Sequence, residues 1–421
     1  MSTIKLSLKE YNNNAIINIS GSKNAALPII ASSILSDEII YLNNIPNIED
    51  VHIMLRLLDY LKVKNTYINN TLIIYPKKKI HWKLNADLTN KLRGSYYFFG
   101  ALLSKKSKAQ IKNIGGCKLG ERPINYHLKA FQEMGYHIYQ NNEETKIKGK
   151  LKHSIINLEY PSVGTTINII LAAVKNKRKI KTIINNASFE PEVVDLCNFL
   201  KSMGAQIQGI NSPNLMITSV KHLHSSNYTI ISDRIEAGTF LILGALHNGI
   251  TIKNANTKHL QSLIEKLESI GCLLYEHNKL LYLKPNKTKS LDITTNVFPS
   301  FPTDLAPQMS VLASQCPGFS TITETVYKER FSHISELRKL NIEIIKNENV
   351  SYIKGKQKIS YNDKLLNCKD LRQGAALVLA SSLSDKEVTI SNTHFIDRGY
   401  EDFYAKLEQL GFIIKKENRQ S

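Results

Sequence analysis

Apolar positions along the chain fall into six copies of one pattern, spaced by roughly 65–75 residues. Each copy opens with a polar or glycine-bearing stretch and runs into a short apolar segment rich in Ala and Ser. The copies are 22-SKNAALPIIASSIL-35, 92-LRGSYYFFGALLS-104, 162-SVGTTINIILAAV-174, 233-DRIEAGTFLILGALH-247, 303-TDLAPQMSVLAS-314 and 370-DLRQGAALVLASSLS-384. A β-rich stretch follows, as in 180-IKTIINN-186, 250-ITIKNAN-256 and 388-VTISNT-393. An amphipathic run at helical spacing comes next, as in 259-HLQSLIEKLESI-270 and 401-EDFYAKLEQL-410, and then a glycine (Gly204, Gly271, Gly411) and another strand. The pattern predicts an α/β protein of six strand–helix units, arranged as two domains of three. The first strand, within residues 3–20, pairs with either half.

A helix start exposes unpaired N–H groups and the positive end of the helix dipole, so each repeat opens on a potential anion site. The plainer reading of the same residues is that their small side chains let helices pack closely.

Composition narrows the class. The 421 residues are 42% apolar and 22% charged, a globular balance rather than a disordered one. No apolar run approaches the roughly 18–20 residues of a membrane-spanning helix, and MSTIKLSLKE has no signal core. Five cysteines, never in a C-x-x-C pair, fit a reducing cytoplasm and exclude a zinc finger. The net charge of +19 comes mostly from 45 lysines, which read as a solvated surface. The 10 arginines are more telling. Arg93, Arg122, Arg234, Arg330, Arg372 and Arg398 fall at segment junctions, and a planar guanidinium suits small carboxylates and phosphates.

Local motifs add candidate chemistry. In 115-GGCKLGERPINYH-127, glycines surround Cys117, with Lys118 and Arg122 nearby. Adjacent positive charge favours thiolate, whereas Cys197, Cys272, Cys316 and Cys368 read as packing cysteines. Asp304, in 301-FPTDLAPQ-308, and Asp370 both fit plain helix N-caps when taken alone. Lys23 and Asn24 look like half a phosphate loop, but the spacing is not that of G-x-x-x-x-G-K-[ST]. His127, His333 and His394 lack metal-ligand spacing and read as hydrogen-bonding side chains.

Together GSKNAALP at 21–28, GGCKLGERP at 115–123, PSVG at 161–164, DRIEAGTF at 233–240, FPTDLAPQ at 301–308, DLRQGAALVLA at 370–380 and HFIDRGYE at 394–401 resemble the UDP-N-acetylglucosamine enolpyruvyl transferase family. The resemblance runs from about residue 4 to about residue 415. It implies a two-domain inside-out α/β barrel, with 21–229 as one domain, 1–20 plus 230–421 as the other, and a cleft between them. It implies transfer of the enolpyruvyl group of phosphoenolpyruvate to the 3-hydroxyl of UDP-N-acetylglucosamine, with release of phosphate, in peptidoglycan synthesis.

The implied roles follow the motifs. Cys117 is the acid that protonates the phosphoenolpyruvate methylene carbon, and it forms a covalent adduct there; as a reactive thiol it is also the target of fosfomycin. Asp304 is the base or orienting carboxylate for the sugar hydroxyl. Lys23, Arg122 and Arg398 hold phosphate, with Asn24 beside them, while Arg330 and Arg372 bind the carboxylate. Asn24, Arg93, Arg122, Pro123, Ile124, Asn125, Tyr126, Ser162, Val163, Gly164, Asp304 and Val326 line the UDP-sugar site. No cofactor, metal, nucleic acid or membrane is implied, and the chain is expected in the cytoplasm as a monomer or weak homo-oligomer. The family usually reads R-P-V-D where this chain has Arg122-Pro123-Ile124-Asn125, Glu-Asn at Lys328-Glu329, and Trp at Tyr97. Two competing readings are a catalytically silent UDP-sugar sensor and a nucleic-acid-binding protein drawn by the +19 charge. Intact Cys117 and Asp304 disfavour the first, and the lack of a basic helix or stacking motif disfavours the second.

Overall fold

The computed structural model describes residues 2–112 and 124–418. All six apolar runs are helices: Lys23–Ser32, Tyr97–Lys106, Val163–Ala173, Arg234–Leu246, Ala306–Ala313 and Leu371–Ser381. They are buried nearly all round, because their sequences lack a polar face. The chain divides into two compact units, one holding 21–112 and 124–231, the other 2–20 and 232–418. Three of the buried helices lie in each unit. Tyr97–Lys106 packs on both Lys23–Ser32 and Val163–Ala173, and Ala306–Ala313 packs on both Arg234–Leu246 and Leu371–Ser381. Small residues make this packing close: a Cβ on Gly100 would lie 2.4 Å from the Asn168 carbonyl oxygen of the neighbouring helix.

Three sheets surround the helices of each unit, with strands that bury alternate residues, such as Thr71–Ile74 and Phe319–Thr323. Five sheets share one order: an edge strand parallel to a central strand, then two antiparallel strands. Ile16–Asn18 runs parallel to Ile250–Lys253, for example, followed by Leu280–Lys284 and Leu273–His277. The sixth sheet has three strands, and a single parallel bridge from Lys83 to Gln110 stands where the fourth would be. The repeat is thus a repeat of sheet topology as well as of sequence. Helices inside and sheets outside make an inside-out α/β architecture.

Strand pairing decides where the N-terminus belongs. Ser2–Leu8 lies between Val388–Ser391 and Phe412–Asn418, antiparallel to both. Ser226–Thr229 conversely completes a sheet of the other unit, parallel to Ile40–Asn43. The closing glycines turn as their positions require, with φ of 96° at Gly204 and 104° at Gly271. Among the described residues no helix is long and apolar enough to cross a membrane.

Candidate active site

The six helix starts are not alike. Four are closed by their own caps. Ser22 accepts from the N–H of Ala25, and Ser162 from that of Thr165. Asp233 accepts from Ile235 and Glu236, and Asp370 from Arg372 and Gln373. The other two runs open through 3-10 turns, Arg93–Tyr96 and Thr303–Leu305, with no side-chain cap.

Asp304 sits in the uncapped turn Thr303–Leu305 and caps nothing. Its carboxylate lies between two arginines instead. Oδ1 accepts from Arg330 at 2.7 Å, while Oδ2 accepts from both Nε (3.2 Å) and a terminal nitrogen (2.9 Å) of Arg372. The arginine side chains are 4% and 5% exposed, against 27% for the aspartate. Burial alone would raise the Asp304 carboxyl, but the Arg372 and Arg330 charges override it and hold it well below the usual carboxylate range. The same pairing raises both guanidiniums against the pull of their own burial.

Each arginine is fixed from behind. Arg330 also donates to Thr303 Oγ1 at 3.1 Å and lies 5.8 Å from the Tyr327 ring. Arg372 lies 5.5 Å from the Tyr400 ring, whose hydroxyl meets Thr239 at 3.0 Å. One organising residue escapes the sequence reading. Buried Glu324 accepts from Thr295 and Thr303 hydroxyls, both at 2.7 Å, and from the N–H groups of Val326 (2.8 Å) and Tyr327 (2.9 Å). It ties the Asp304 turn to the segment carrying Val326 and Arg330. Nothing in TITETVY marks this glutamate as different from a solvated one.

In the other unit Lys23 opens its helix and pairs with Asp50 at 2.7 Å, while Asn24 follows it half-buried. Arg93 lies 5.7 Å from the Tyr96 ring, which packs edge-on against His127. His127 is buried, joined through Nδ1 to Asn168 at 3.1 Å, and pushed down to about 3 by burial and Arg93, so its ring is neutral. Gly164 meets this cluster: a Cβ there would come 2.4 Å from the Tyr96 hydroxyl and 3.1 Å from His127 Cε1. Arg93, Ser162, Val163 and Gly164 thus belong to helix starts, and Tyr96 and His127 join the cluster that Gly164 abuts. Asn125 and Tyr126 stand exposed on the first turn of Asn125–Glu133, after half-buried Ile124. Val326 is half-buried, as is Arg398 in the turn after Thr393–Phe395. Cys117, Arg122 and Pro123 lie outside the described residues. Cys197, Cys272, Cys316 and Cys368 are all buried, as packing cysteines should be. His333 bonds Ser310 at 3.1 Å and His394 meets Ser2 at 3.3 Å.

This arrangement presents buried guanidiniums matched to a carboxylate, with an acid already on them. Similarity to known proteins identifies the lineage. The EPSP synthase (3-phosphoshikimate 1-carboxyvinyltransferase) family matches residues 9–407. The UDP-N-acetylglucosamine 1-carboxyvinyltransferase of Halothermothrix orenii is 39% identical over 403 residues, covering 95% of this chain and 96% of that protein. The enzyme of the same name from Thermotoga maritima is 37% identical over 409 residues, covering 96% of each. Among solved structures, the enolpyruvyl transferase NikO from Streptomyces tendae superposes with a TM-score of 0.89 at 21% identity, covering 99% of both chains. EPSP synthase from Acinetobacter baumannii gives 0.75 at 16% identity, covering 99% of this chain and 100% of that one. These two share the fold, and the near full-length relatives at 37% and 39% identity establish the family. The chain belongs to the UDP-N-acetylglucosamine 1-carboxyvinyltransferase family of enolpyruvyl transferases.

Proposed function

We propose that the chain transfers the enolpyruvyl group of phosphoenolpyruvate to the 3-hydroxyl of UDP-N-acetylglucosamine, releasing phosphate, as the first committed step of peptidoglycan synthesis. The observation that carries this is the near full-length kinship at 39% identity with a protein of that name. The reaction is an addition followed by an elimination. In the addition, O3 of the sugar bonds to C2 of phosphoenolpyruvate, the hydroxyl proton leaves to a base, and C3 gains a proton to become a methyl group. In the elimination, C3 loses a proton, the C2–O bond to phosphate breaks, and the double bond re-forms.

In this reading Asp304 takes the hydroxyl proton and Cys117 supplies the one that reaches C3. Arg330 and Arg372 receive the substrate carboxylate, and Lys23, Arg122 and Arg398 the phosphate, with Asn24 beside them. These charges stabilise the tetrahedral intermediate. Arg93, Asn125, Tyr126, Ser162, Val163, Gly164 and Val326 bind the sugar nucleotide, with Arg122, Pro123 and Ile124. The chain works on small molecules without a cofactor, in the cytoplasm, as a monomer or weak homo-oligomer.

Phosphate release from phosphoenolpyruvate, measured with and without UDP-N-acetylglucosamine, tests the reading. Release should require both substrates, and Asp304→Asn should slow it by roughly 10²-fold or more. Release that ignores the sugar nucleotide would overturn the assignment.

A further inference from the structure

The two arginines that the reading above gives to the substrate carboxylate are already holding a carboxylate, that of Asp304. The contacts are of the bidentate kind an incoming carboxylate would make, at 2.7 Å to Arg330 and at 2.9 and 3.2 Å to Arg372. An acid clamped this way is a poor base, since proton affinity falls with the pKa. Its neighbours deepen the clamp. Besides the two guanidiniums on Asp304, Asp370 faces Arg330, and Asp233 and Tyr400 face Arg372. Thr303 and the Tyr327 and Tyr400 rings hold the arginines in place, and Asp304 is the most exposed of the three ionised groups, at 27%. The aspartate is therefore the partner able to leave.

We propose that Asp304 is a placeholder for the phosphoenolpyruvate carboxylate, which takes Arg330 and Arg372 from it and thereby frees Asp304 to act as the base. This rests on the reading that those arginines receive the substrate carboxylate. Exchange of one carboxylate for another never leaves buried guanidiniums without an anion, so the costly unpaired state is avoided. Once released, Asp304 recovers ordinary carboxylate basicity. It can then accept the O3 proton as the O3–C2 bond forms and C3 takes up its own proton. The sugar hydroxyl is thus activated only when the molecule it must attack is present.

The test uses 2-phospholactate, which carries the same carboxylate and phosphate but no double bond to react. Its affinity and that of inorganic phosphate are measured by calorimetry on the full chain saturated with UDP-N-acetylglucosamine. Asp304→Asn removes the internal competitor, so it should bind 2-phospholactate about tenfold or more tightly than the parent chain does. Inorganic phosphate should bind both about equally. Equal or weaker binding of 2-phospholactate to the variant overturns the placeholder role alone. If 2-phospholactate binds no better than phosphate to either protein, the arginines do not receive a carboxylate, and both readings fall. Asp304→Ser gives a second measurement, should the Asn variant fold poorly: it removes the same competitor and should likewise bind 2-phospholactate about tenfold or more tightly than the parent chain, with inorganic phosphate unchanged. Equal or weaker binding of 2-phospholactate to it overturns the proposal.

Discussion

The Lys23 ammonium lies 2.7 Å from Oδ2 of Asp50, a carboxylate only 1% exposed in the first turn of the helix Glu49–Tyr60. The pairing makes a residue proposed to bind substrate part of the stability of its own unit. Removing one member of a buried pair leaves the other uncompensated. Lys23→Met and Asp50→Asn should each destabilise the chain, and the double variant should lose less than the sum. A coupling of about 1–3 kcal/mol is expected from urea melts of the four proteins. Strict additivity would show that the pair carries no energetic weight.

Glu236 supplies a pH dependence. Its Oε2 accepts the Ser20 N–H at 2.9 Å, its Oε1 accepts from Lys406 at 2.5 Å, and Lys406 donates to Ser20 Oγ at 2.7 Å. Burial pushes the Glu236 carboxyl up from 4.5 to about 7 against the pull of Lys406. The folded chain therefore keeps this proton to higher pH than the unfolded chain. The stability it contributes is complete below about 4.5 and is lost as pH rises through about 7. The melting temperature should fall between pH 5 and pH 8, and Glu236→Gln should flatten that slope. An unchanged slope in the variant would assign the fall to other groups.

Gly164 is expected to tolerate no side chain. An alanine Cβ would press to 2.4 Å from the Tyr96 hydroxyl, and the ring carbon behind it stands at 3.1 Å. Overpacking of this kind costs about 1–3 kcal/mol. Gly164→Ala should lower the melting temperature and weaken UDP-N-acetylglucosamine binding, and adding Tyr96→Phe should restore part of both. Calorimetric titration of the sugar nucleotide reads the result, and failure of the second change to help would place the strain elsewhere.

Alkylation by the epoxide fosfomycin should be confined to Cys117. The other four thiols are buried, and burial pushes Cys197 and Cys316 up to about 12 and raises Cys272. Cys117→Asp should keep activity and abolish labelling, because a carboxylic acid still delivers a proton but is a weaker nucleophile. Peptide mass mapping decides the matter: label on any of the four buried cysteines, with Cys117 intact, would sink the assignment.

Much of this protein was legible in its sequence. The six helices appear where six all-apolar runs stand, because a segment with no polar face has no stable place except inside. Local chemistry likewise announced the Asp370 cap, whereas the caps made by Ser22, Ser162 and Asp233 emerged only with the structure. The motifs also singled out Asp304, Arg330 and Arg372 as functional. Their mutual arrangement was another matter. These residues are separated by 26 and 68 positions, and only folding brings them within 3.2 Å of one another. Read locally, Asp304 looked like an N-cap, and read by family, the arginines looked free for a ligand; tertiary structure closes one on the others. Glu324 and Asp50 were invisible for the same reason. An acidic side chain in a linear sequence looks solvated, and only the packing around it reveals a buried charge that must find a partner. Periodicity therefore determined which segments are buried, because burial depends on each segment's own faces. Ion pairing was decided by tertiary structure, because it depends on groups that the chain itself keeps far apart.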